Sequence, residues 1–185
     1  MTAPTADHVI ADTRRWLERA VIGLNLCPFA KAVHVKDQVH YSVCHATGFG
    51  DVMEALDREL DDLLAAGPAV RDTTLLVLPD GFDDFLLFQQ LVAQGERRLA
   101  RHRLDGTLQL ANFHPDFRFA HASDDDAGNL SNRSPYPTLH LLREDSIDRA
   151  VAAFPEAEAI FGGNIEKLRH LGHAGWLALD VGRSS

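Results

Sequence analysis

Residues 73–113 read TTLLVLPDGFDDFLLFQQLVAQGERRLARHRLDGTLQLANF, and this stretch decides the fold. The opening TTLLVL, residues 73–78, is almost wholly apolar with no alternation, as a central strand covered on both faces requires. Pro79, Asp80 and Gly81 then turn the chain into a helix expected over 82–103, built on Phe85, Phe88, Leu91, Val92 and Leu99. A second strand, TLQLANF, is expected over 107–113. Strand, helix and strand in succession make a crossover unit, with neighbouring parallel strands and the helix packed on the sheet. The predicted class is α/β.

The flanks extend the pattern. Upstream, Ile10, Thr13, Trp16, Leu17, Ala20, Val21 and Leu24 form one face of a helix over 5–24. NLCPFA ends it, because Pro28 disfavours helical geometry at Cys27 and places that residue at a chain turn. QVHYSVCH, residues 38–45, alternates as a strand does, and residues 51–66 form an amphipathic helix stopped by Gly67 and Pro68. Downstream, residues 114–136 show no helical periodicity, PTLHLLR over 137–143 reads as a strand, and short helices are expected over 146–154 and 164–172. With no crossover helix between them, the strands at 107–113 and 137–143 should run antiparallel. The expectation is one α/β domain over 1–185, its sheet mixed but mostly parallel, with helices packed on it and the last strand antiparallel.

Composition narrows the function classes. A chain of 185 residues, 45% hydrophobic and 24% charged, is an ordinary globular protein, and no apolar run is long enough to span a bilayer. MTAPTADHVIADTRRW lacks the basic-then-apolar order of a secretory signal, and two cysteines, Cys27 and Cys44, are too few for a disulfide framework. A cytoplasmic location is expected, with no membrane partner. A net charge of −9 repels a phosphate backbone, and the basic run Arg97, Arg98, Arg101, His102 and Arg103 sits at a helix end, where the helix dipole favours cations. Nucleic acid is therefore not expected. Ten histidines raise the prior for metal binding or proton transfer without locating either.

The chemistry-bearing residues concentrate in NFHPDFRFAHASDDDAGNLSNRSPYP, residues 112–137, a loop too long to be a simple connection. Ligands in open α/β sheets bind beyond the carboxyl ends of the strands, where both ends of this loop should converge. His114 reads as a general acid or base oriented by Asp116, or else as a loop anchor. Arg118 and Arg133 present planar forks suited to a carboxylate or phosphate, or pair with the loop's own acids. Asn112, Asn132 and Tyr136 would donate hydrogen bonds to a substrate, Tyr136 serving otherwise as core. Cys27 is either a nucleophile near histidine or buried packing. His114 and Asp116, completed by His140 or His121, would supply the ligands of a divalent metal. Asp124, Asp125 and Asp126 form a solvated tip or a weak calcium site. The set Cys27, His34, His40, Cys44 and His45 lacks paired-knuckle zinc spacing, and no Walker loop, dinucleotide fingerprint, GxSxG or HExxH occurs.

Four segments carry a resemblance: LNLCPFA at 24–30, NFHPDFRFA at 112–120, NRSPYPTLHLLRE at 132–144 and NIEKL at 164–168. With them the chain resembles the bacterial and plant proteins grouped as domain of unknown function family 1415. The likeness covers nearly the whole chain and implies no activity, cofactor or catalytic residue. The expectation from the residues is thus an enzyme acting by acid/base chemistry on a small anionic substrate at the 112–136 loop. Two alternatives stand beside it: a metal-dependent oxygenase or hydrolase, and a non-catalytic module binding a metabolite or partner.

Overall fold

In a computed structural model, which describes residues 4–153 and 157–184, the strands β1 (Val39–Val43), β2 (Thr73–Val77), β3 (Leu108–Phe113) and β4 (Thr138–Arg143) form one sheet in the order β1-β2-β4-β3. β1 and β2 are parallel, while β4 runs antiparallel to both of its neighbours, β2 and β3. The class is α/β and the last strand is antiparallel, as expected. "Mostly parallel" needs correction, because two of the three pairings are antiparallel. β1, β2 and β3 all point the same way, but β4 inserts between β2 and β3 instead of extending the sheet at its edge.

The two faces of the sheet are covered differently. On one face α3 (Phe49–Ala65) and α4 (Phe85–Arg101) bury Leu56, Leu60, Leu63, Phe88 and Leu91 against Leu76, Leu78, Leu108, Leu139 and Leu141. Removing that much aliphatic and aromatic surface from water supplies the main folding drive. α4 begins where Asp84 accepts a hydrogen bond from the Leu87 amide at 2.7 Å, a side-chain cap on the first turn. The turn before it needs Gly81: its φ is 82°, and a Cβ there would lie 2.8 Å from the Thr47 side chain.

The opposite face receives α1 (Ala6–Trp16), whose Val9 packs on Leu75, Val77 and Tyr136. α1 continues without a break into a π-helical segment, Leu17–Ile22, marked by hydrogen bonds from the Gly23 amide to Glu18 O and from the Leu26 amide to Val21 O. The helix expected over 5–24 is present, with its last stretch wound wider than an α-helix. α2 (Ala30–Val35) follows the NLCPF turn and was not expected.

β4 leads directly into α5 (Glu144–Ala153), close to the expected 146–154; the Phe154 end of that expectation lies outside the described residues. α6 (Ala157–Ala178) is far longer than 164–172. Gly172, where the expected helix ends, is instead a kink with φ 66°. The 114–136 loop holds a 3-10 segment, Ala127–Asn132, against which α6 packs through Leu168. Among the described residues no helix is long and apolar enough to cross a membrane.

Candidate functional site

The antiparallel register sets Phe113 opposite Thr138, so both ends of the 112–137 loop do meet at the carboxyl edge of β1, β2 and β3. The His114 amide donates to Asn132 O at 3.1 Å, and Asn132 Nδ2 reaches Asn112 O at 3.4 Å. What converges there is bracing. His114 is fully buried between Phe85 and Phe88, its Nε2 donating to Phe82 O at 2.9 Å and its Nδ1 accepting from the Asp116 amide at 3.0 Å. Backbone thus fixes the neutral tautomer, and burial, outweighing the Phe82 bond and the nearby Asp116 and Asp83 charges, pushes the imidazole below its ordinary pKa. Neither ring nitrogen is left for a substrate, so of the two readings of His114 the geometry matches the loop anchor.

The neighbouring candidates have similar employment. Asp116 is exposed, and its hydrogen bond to His114 comes from its backbone amide. Arg133 donates from Nε to Phe117 O at 3.1 Å and from a terminal nitrogen to Asp124 O at 2.9 Å, stapling the loop. Arg118 pairs with Asp124 at 2.7 Å, and Asn112 accepts from Gln89 at 3.2 Å. Tyr136 is buried under α1 and donates its hydroxyl to Asp12 at 2.8 Å, with the Arg183 guanidinium 4.7 Å above its ring. An open cavity of about 550 Å3 does lie on this loop, walled by Phe85, Gln89, Phe117 and the Arg118–Asp124 pair.

The expected metal set does not assemble. His114 packs on α4 on one face of the sheet, His140 packs on Phe113 on the other, and His121 is exposed on the loop. Among the described residues no group of three or more His, Cys, Asp or Glu side chains is arranged to hold a metal ion.

A second cavity, of about 560 Å3, opens on the α1 face, toward the amino ends of β1 and β2. The π segment forms one wall through Leu17 and Val21, Phe29 with α2 another through Val33, and α5 a third through Ile147 and Ala150. The sheet supplies the floor: Val39, Thr73, Leu75, Phe113, His140 and Leu142. π-helical turns often lie at functional sites, since a widened turn is tolerated where it shapes a binding surface. Trp16, 1% exposed, lines this cavity edge-on to Phe113, and its indole N–H has no acceptor among the described residues. Such an unpaired buried donor is a cost the fold carries beside the cavity.

The polar lining comprises Lys36, Gln38, Asp72, Arg143, Ser146 and Arg149 together with Thr73, His140 and Cys27. Thr73 Oγ1 donates to Leu141 O at 2.7 Å, and His140 Nε2 lies 2.6 Å from the same threonine oxygen. A carbonyl cannot donate, so the single threonine proton is committed to Leu141 and His140 must supply the proton of the second bond. His140 is therefore the Nε2–H tautomer, and its Nδ1 lone pair has no partner among the described residues. Burial pushes its pKa down to about 4, so the ring stays neutral. Cys27 also lines the cavity, and burial raises its thiol pKa despite backbone bonds from Phe29 and Ala30. The thiolate a nucleophile requires is disfavoured there, so the geometry matches the packing reading of Cys27.

Two groupings of functional weight escaped the sequence. His140 and Thr73 sit on adjacent strands, β4 and β2, whose pairing has no local signature. Asp12, fully buried, accepts from Tyr136, Arg15, the Ser184 amide and the Ser184 hydroxyl, tying α1, the SPYP turn and the C-terminal tail together. Desolvation alone would raise this carboxyl, but those hydrogen bonds outweigh it and hold the pKa below the ordinary carboxylate value. The NIEKL segment plays a similar bracing part. Asn164 Nδ2 donates to Leu26 O at 2.7 Å and Lys167 to Leu24 O at 2.6 Å, clamping the LNLCPF turn at the cavity wall.

No curated protein and no solved structure matches the chain. The sequence model of a protein family of unknown function, DUF1415, matches residues 8–178, so the chain belongs to that family.

Proposed function

We propose that the protein binds a small, largely apolar molecule in the cavity between the π segment, α2, α5 and the sheet. The observation that carries this reading is a ligand-sized apolar recess with a neutral, tautomer-locked histidine on its floor. Its volume falls within the range of small-molecule sites, which are mostly apolar with a few placed polar groups. The reading keeps the expected small-molecule ligand and moves the site from the loop to the other face of the sheet. It takes the binding-module alternative over acid/base catalysis on the loop, since both ring nitrogens of His114 are bonded to backbone and Arg133 and Arg118 are engaged with the loop's own carbonyls and Asp124.

The reading is tested by thermal denaturation against a panel of aromatic alcohols, quinones and medium-chain carboxylic acids, for the wild type and for Ala150→Phe, which fills the cavity from α5. A ligand of the folded state raises Tm as its concentration rises. At least one class should do so saturably in the wild type and lose the effect in Ala150→Phe. The reading fails if no class shifts Tm, or if a shift survives Ala150→Phe and disappears in Arg133→Ala.

A further inference from the structure

The floor of the cavity offers a single hydrogen-bonding polarity. Thr73 holds the His140 proton on Nε2, so the ring presents to the recess an acceptor and no donor. The strands fix this arrangement. His140 opposes Leu75 in the β2–β4 register, Thr73 lies on the same face two residues earlier, and Phe113 packs its ring 5.8 Å from the imidazole. In apolar surroundings an acceptor that loses water must be met by a donor, or the group is left unpaired. A carboxylate on the floor would bring a second set of lone pairs against Nδ1, whereas a hydroxyl or N–H would satisfy it.

Resting on the cavity reading above, we propose that His140 Nδ1 selects ligands whose buried polar group is a hydrogen-bond donor: an alcohol, a phenol or an N–H heterocycle. At that position a ligand that carries only an acceptor or an anion leaves Nδ1 unpaired, and the unpaired buried donor of the lining among the described residues, the Trp16 indole N–H, lies apart from it on the α1 side. Lys36, Asp72, Arg143 and Arg149 also line the cavity, but none of them belongs to the Val39, Thr73, Leu75, Phe113, His140 and Leu142 floor that carries the acceptor. Sites built to hydrogen-bond a substrate group discriminate strongly against the analogue that lacks it, more so than apolar walls do against a change of size.

The experiment is calorimetric titration with 2-naphthol and its methyl ether, 2-methoxynaphthalene, into the wild type and His140→Phe. The pair differs in one donor on the same apolar body. The wild type should bind the phenol about tenfold more tightly than the ether, the loss expected for one unsatisfied hydrogen bond. In His140→Phe the two affinities should agree within about threefold, since the variant keeps an apolar ring and removes the acceptor. Equal affinities in the wild type overturn the proposal while leaving the cavity reading intact, and need no variant to fold. A preference that persists in His140→Phe overturns it too. If neither compound binds the wild type, the donor-selection proposal falls, and the cavity reading falls with it only if the wider panel also leaves Tm unshifted.

Discussion

His140 is a residue through which acid should register in the stability of the protein. Its folded pKa is about 4 against an ordinary 6.5, so between those values the unfolded chain binds a proton that the folded chain refuses. Its contribution is complete above pH 6.5 and is lost as the pH falls toward 4, amounting to up to about 3 kcal/mol for a shift of that size. His114 and His40 are displaced in the same direction, both chiefly by burial, so the readout is the difference between wild type and His140→Phe in urea denaturation at about pH 7 and about pH 4.5. The variant should lose less stability over that interval. His114 tests the other side of the assignment. His114→Ala removes two backbone hydrogen bonds and the ring held between Phe85 and Phe88, and should cost about 3 kcal/mol in urea denaturation. It should leave 2-naphthol affinity unchanged, because the ring lies on the α4 side of the sheet.

Among the elements, those with a buried stripe were legible in the sequence and those without one were not. α3 and α4 place Leu56, Leu60 and Leu63, and Phe88, Leu91 and Leu99, at helical spacing against the sheet, and each was read to within a few residues. α2 buries none of its residues, so AKAVHV carries no apolar period to find. The π segment keeps the apolar residues of α1, and the spacing announced a helix without announcing its extra width. In the 3-10 segment six residues are too few for periodicity to register. Gly172 shows the reverse error: a helix-ending residue type sits in the left-handed region, yet α6 resumes beyond it.

Two substitutions test how the elements are joined. Tyr136→Phe removes the hydroxyl that α1 receives through Asp12, and should cost about 1–3 kcal/mol in urea denaturation and speed proteolysis of the C-terminal tail bound to the same carboxylate. Gly81→Ala forces a side chain onto a backbone with φ 82° and against Thr47, and should lower stability by about 2 kcal/mol or more.

At the scale of the whole molecule, one topological fact separates the expected site from the proposed one. TTLLVL and PTLHLLR each read correctly as strands, and β4 was correctly set antiparallel to β3. Its pairing with β2, across α4, β3 and the whole 112–137 loop, is a long-range contact that no local pattern encodes. That pairing brings Thr73 to His140 and makes the floor of the cavity. The rule that ligands lie beyond the carboxyl ends of parallel strands drew attention to the 112–137 loop, whose ends do converge there. In this mixed sheet the more enclosed and more apolar recess lies toward the amino ends of β1 and β2, under the π segment. The family segments fit the same picture, since NIEKL clamps LNLCPF at the cavity wall while NFHPDFRFA and NRSPYP brace the loop. The most direct measurement is the map of backbone amide shifts on titration with 2-naphthol. A ligand in the recess predicts saturable shifts centred on Val21, Phe29, Thr73, Phe113, His140 and Ile147; shifts centred on residues 116–133, or none at saturating ligand, would contradict it.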